Sequence, residues 1–232
     1  MKNINSTLLR KLNIGFASIM TFSIAAGLGT TQYALASATS NFTQVINAGT
    51  LTADIVDGSY VTVASPSFAL GAATFSFACQ TTTGTFGTAS QQIYVKNPDA
   101  ADNGWTLSIA ASAPTDVWDG AASDFDFNDP TTAGCTDGGD ADILKGQMTI
   151  NPAVGTLAGG ASSASTTNIT KGSSGAFNQG TLDAITILTG ASGSSDIGDW
   201  TLQGVSISQT IPAEQAAASD YDISLVLTAT AS

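Results

Sequence analysis

The chain has 232 residues, with 18 acidic against 6 basic side chains, no histidine and a formal net charge of −12. So acidic a surface repels phosphate backbones and argues against a nucleic-acid partner. Without histidine there is no general base of the usual kind near neutral pH and no common zinc ligand, so neither a Ser–His–Asp triad nor an ordinary zinc site can be built.

The first segment, MKNINSTLLRK, carries Lys2, Arg10 and Lys11; an uncharged apolar run follows over 14–28, then the small residues ALASA. That layout predicts a secretory signal peptide over 1–36, cut after Ala36 or after Ala38. The run is short for a membrane-spanning helix and no second one follows, so no membrane span is expected after cleavage. The predicted location is secreted, at the cell surface. Cleavage leaves only Lys96, Lys145 and Lys171 against all 18 acids, of which Glu214 is the sole glutamate.

Residues 37–49 form an N-terminal segment whose apolar side chains are Phe42, Val45 and Ile46. Beyond it, apolar and β-branched residues alternate with polar ones, and Gly, Asn, Asp and Pro interrupt at short intervals. Strands are predicted over 50–56, 60–64, 73–79, 91–97, 105–111, 145–151, 184–189, 200–208 and 221–230. In the last, Tyr221, Ile223, Leu225 and Leu227 share one face. The fold class is all-β, an antiparallel β-sandwich over 50–232 with long Asp-rich and Ser/Gly/Ala-rich loops.

The Asp-rich loop, 112–142, contains DFDFND, which sets Asp124, Asp126 and Asn128 two apart with Asp129 next. Oxygen ligands at that spacing open many calcium loops, but the glycine and the later bidentate Glu of an EF-hand are missing. Two readings stay open: a looser calcium site, helped by Asp116, Asp119, Asp137, Asp140 or Asp142, or a hydrated loop with Phe125 and Phe127 turned inward. No catalytic residue is assigned, and no cofactor is expected apart from calcium. Cys79 and Cys135 both lie in the exported part, where a disulfide is the expected state. The Ser/Gly/Ala-rich segment, 152–183, has room for short strands.

Two stretches repeat a Trp-x-Leu pattern, Trp105-Thr-Leu107 and Trp200-Thr-Leu202. Within a strand, residues two apart share a face, so each pair is a natural core element. The passage IYVKNPDAADNGWTLSIAAS (93–112) also resembles the proximal motif of the WxL-domain surface proteins, and 200–232 resembles that family's closing segment. The family's distal motif is Tyr-x-x-x-Leu-Thr-Trp-x-Leu. Tyr221 and Leu225 match it, whereas Val226, Leu227 and Ala229 replace its Thr, Trp and final Leu. The resemblance implies a β-sandwich that associates non-covalently with cell-wall polymer or other surface proteins, through Trp105, Leu107, Trp200, Leu202, Tyr221, Leu225 and Leu227. A second stretch, NFTQVINAGTLTADIV (41–56), is similar to the mature start of the camelysin/TasA fibre-forming group. It implies a homo-polymer in which Phe42, Val45 and Ile46 anchor a donated strand; an ordinary first strand or a loose leader is the plainer alternative. The expected function is a non-enzymatic envelope surface protein. The alternatives are a self-polymerising fibre subunit and a calcium-dependent adhesion or carbohydrate-binding module.

Overall fold

Alternation with a period of two puts one side of each strand in the core and the other in water. The computed structural model describes residues 43–232 except 100–102, 141 and 194–196. The signal-peptide expectation and Phe42 therefore lie outside the described residues. Residues 43–46, described apart from the β unit that spans Asn47–Ser232, carry no regular structure.

Among the described residues the chain forms twelve strands in three four-stranded antiparallel sheets. The first sheet has the order β1 (Thr52–Val56), β3 (Gln92–Asn97), β10 (Gly198–Gln203) and β6 (Thr156–Gly159). The second runs β2 (Gln80–Phe86), β11 (Val205–Ile211), β5 (Gln147–Asn151) and β8 (Gly175–Ala176). The third runs β12 (Leu225–Ala231), β4 (Trp105–Ala111), β9 (Ala184–Gly190) and β7 (Ile169–Lys171). All three feed one hydrophobic core, with Ile93, Val95 and Trp200 from the first sheet, Met148, Ile150 and Ile207 from the second, and Trp105, Leu107 and Leu188 from the third. The expected all-β sandwich is the observed architecture.

A single glycine turns the chain from one sheet into the next. The predicted strand 200–208 is two strands, β10 and β11, broken at Gly204, whose φ of +76° suits glycine. Gly204 N donates to Gly87 O (2.8 Å), and Gly87 also has positive φ, +81°. Since β2 pairs with β11 and β3 with β10, the two glycines form the corner where a paired ribbon leaves the second sheet for the first.

Other differences from the sequence reading have local causes. Residues 73–79 do not form a strand; Phe75 and Phe77 stand exposed, edge to face with centroids 5.3 Å apart. The strand there is β2, QTTTGTF, whose threonines pair along β11 although they look weakly apolar. Residues 60–64 contribute one bridge, Thr62 to Val56, rather than a strand. In β9 the pairing with β4 slips between Leu107 and Ser108, so Ile187 and Leu188 are both buried and alternation fails. β6, β7 and β8 lie inside the Ser/Gly/Ala-rich segment.

Candidate functional site

The two Trp-x-Leu pairs are core. Trp105, Leu107, Trp200 and Leu202 are all 0 % exposed. Trp105 lies on Gly190, where an added Cβ would stand 2.4 Å from the indole nitrogen. Trp200 Nε1 donates to Ser165 O (2.9 Å). None of the four side chains reaches solvent, so direct contact with a wall polymer, implied for them by the WxL resemblance, is corrected: burial spends these side chains on packing. Leu225 and Leu227 are half-buried on the inner face of β12, alternating with exposed Val226 and Thr228. Tyr221 is also half-buried, and its Oη donates to Ala216 O (2.7 Å).

A groove opens beside this strand. Its volume is about 790 Å³, and its walls include Ile55 of β1, Phe68, Phe86 at the end of β2, Ile109 of β4, Ile207 of β11, and Ile223, Leu225 and Leu227 at β12. β1, β2 and β12 are each the outer strand of their sheet. Three sheet edges thus border one apolar channel, an arrangement no single stretch of sequence announces.

The acidic loop is built from the inside out. Phe125 and Phe127 are buried, as expected for inward-facing rings. Trp118 stacks on Phe125 (centroids 5.7 Å, planes 11° apart) and its Nε1 donates to Gln209 Oε1 (2.9 Å). Gln209, wholly buried, also donates through Nε2 to Asp126 O (3.0 Å). On the other side Asp126 N donates to Lys145 O (2.8 Å). Gly146 closes this approach; with φ +139°, a Cβ there would fall 2.0 Å from Asp126 O.

These constraints separate the four residues proposed as calcium ligands. Asp129 turns both carboxylate oxygens to main-chain N–H groups, of Thr131 (3.0 Å) and Gly138 (2.7 Å). Asp124 accepts from Gly120 N (3.2 Å). Asn128 Nδ2 donates to Pro114 O (2.7 Å), while its Oδ1 is buried without a partner. Of the four, Asp126 alone belongs to a carboxylate group among the described residues: one oxygen from each of Asp126, Asp140 and Asp142 lies within 4.8 Å of the others. Asp124 and Asp129 stand outside this group, their carboxylates accepting from main-chain N–H groups of the neighbouring turns. The signal for the true grouping was the DAD spacing at 140–142, named only within a looser set. Burial, the largest influence, pushes the Asp126 carboxyl up to about 6 against hydrogen bonds from the Asn128 and Phe127 N–H groups. Burial also raises Asp140.

Cys79 and Cys135 form the expected disulfide, with Cα atoms 5.7 Å apart, tying the acidic loop to the chain entering β2. A second polar cluster sits between β3 and β10. Tyr94 Oη donates to Asp199 Oδ2 (2.7 Å), and Ser162 donates to Asp199 Oδ1 from its main-chain N (2.9 Å) and from its hydroxyl. Asp199 thereby holds the turn after β6. Sequence reading missed it.

The fold and its sites define a disulfide-stapled, acidic, all-β protein with an edge-lined apolar groove and a carboxylate cluster. Compared with protein-family models, curated proteins and solved structures, the chain matches none.

Proposed function

We propose that the chain is a non-enzymatic structural protein of the extracellular surface whose copies join by β-strand addition. Residues 37–49 of one copy lie along β12 of the next, in the groove between β1, β2 and β12. The observation that carries this reading is the groove itself: core side chains line it, and β12 beside it is an edge strand with no hydrogen-bonded strand on its outer side among the described residues. An added strand takes its affinity from backbone hydrogen bonds and its specificity from alternate side chains entering pockets. The proposed donor suits the role. Val45 is 76 % and Ile46 86 % exposed, an unusual state for adjacent β-branched residues. In an extended strand Phe42 and Ile46 share a face and enter the groove, and Val45 faces away. The similarity of 41–56 to the start of the camelysin/TasA group supports the same assignment, and the layout of residues 1–38 supports export.

Sedimentation tests this reading. The chain without residues 1–36 is expected to pellet alone, as ordered fibres under negative stain. A version beginning at residue 50 is expected to stay soluble and to bind a synthetic peptide of residues 37–49. Pelleting only in the presence of isolated cell walls would overturn the polymer and favour wall association.

A further inference from the structure

We propose that Asp126, Asp140 and Asp142 form a calcium-binding site that fastens Asp140 and Asp142 of the acidic loop to the sandwich. This inference does not depend on how copies associate. Two separate observations carry it. The first is the convergence of three carboxylate oxygens, within 4.8 Å of one another. The second is an orphan: Asp126 is only 2 % exposed, and its Oδ2 is buried with no hydrogen-bond donor. Its Oδ1 already accepts from Phe127 N (2.6 Å) and Asn128 N (3.2 Å). A buried carboxylate oxygen left unpaired is expensive, and a cation beside it removes that cost.

The other two carboxylates are oriented in the same way. Asp140 Oδ1 accepts from Asp142 N (3.3 Å), and Asp142 Oδ1 accepts from Leu144 N (2.8 Å). Each carboxylate thus uses one oxygen to fix its own position. Lys145, the nearest basic residue in sequence, has an exposed side chain and lends Asp126 only its main-chain oxygen. A water could satisfy Asp126 but would leave three like charges together; a divalent cation answers both. All donors are oxygens, which selects a hard cation over zinc or copper. The ligands come from a loop rather than an octahedral frame, which favours calcium, with its irregular six to eight oxygens, over magnesium. Water completes the shell.

Calorimetric titration of the EDTA-stripped, dialysed full chain with CaCl₂ tests the site. One calcium per chain is expected, with a dissociation constant in the range of about 10⁻⁴–10⁻³ M typical of extracellular modules. Asp140→Asn and Asp142→Asn, both nearer the surface than Asp126, are expected to fold and to weaken binding about tenfold or more. Asp124→Asn, in the same loop but outside the cluster, is expected to bind as the parent does. Absence of saturable binding by the parent chain would overturn the site. So would equal weakening in all three variants, which would mean diffuse attraction to an acidic surface.

Discussion

Trp105 and Trp200 lie against each other, ring centroids 5.3 Å apart and planes tilted by 36°, although β4 and β10 belong to different sheets. The contact joins the first and third sheets through the largest side chains in the core. Replacing either by Ala should cost about 3–5 kcal/mol, the usual range for a buried aromatic. A Leu/Leu double-mutant cycle in urea, in which each single replacement removes one ring, should return a coupling of about 0.5–1.5 kcal/mol. Coupling indistinguishable from zero would mean that the rings do not meet.

The disulfide closes a long loop, the two cysteines lying 56 residues apart. In the chain-entropy model that closure contributes about 4 kcal/mol. The Cys79→Ser/Cys135→Ser variant should therefore melt at distinctly lower urea concentration than the parent, with its β-sheet circular dichroism retained in buffer. Identical midpoints would mean that the bridge does not form in solution.

The Tyr94–Asp199 pair makes stability depend on pH at both extremes. Burial alone would raise Asp199, but hydrogen bonds from Ser162 and Tyr94 outweigh it and hold the carboxyl below its ordinary value. Its contribution is thus present above about pH 4, the unfolded value, and lost as pH falls through the lower folded one. Tyr94 behaves in the opposite sense. Burial first, then the bond to Asp199, raise its phenol well above the ordinary value. Its contribution is complete below about pH 10 and lost as pH rises further. Urea melts across the range should show Asp199→Asn flattening the acid limb and Tyr94→Phe the alkaline limb. Unchanged limbs in both variants would disprove the linkage.

Leu227 lines the groove, whereas exposed Thr228, the next residue of β12, stands outside its walls. If copies join there, Leu227→Lys should abolish pelleting while leaving a folded monomer, and Thr228→Lys should assemble normally. Assembly should also quicken with salt, because the copies repel through their net negative charge. Equal loss of assembly in both variants would point to charge rather than to the groove.

The fold was legible where alternation was strong. β4 announces itself by WTLSIAA and β12 by the alternation through Leu225 and Leu227, although the strand begins at Leu225 rather than at Tyr221, and the cysteine pairing followed from the expected oxidising compartment. β2 was not legible, because threonine methyl groups can line a sheet without looking apolar. Phe75 and Phe77 misled in the other direction, being strand-like in sequence and exposed in fact. The carboxylate cluster was half legible. Asp126 stood out through DFDFND, but which acids meet it depends on a loop that returns past Gly146, and that is a property of three dimensions. The groove lies where edges of three sheets converge, so no local pattern encodes it.

The corner at Gly204 bears on how this sequence can change over time. β10 and β11 follow one another with only Gly204 between them and belong to two sheets, so their inward faces are phased by a common count of residues. A substitution within 198–211, whatever it costs at its own position, leaves that phase intact. A single inserted or deleted residue does not, because it would turn core side chains outward on one side of the corner. Length variation among descendants of this chain should therefore collect in the Asp-rich and Ser/Gly/Ala-rich loops and spare the stretch around Gly204.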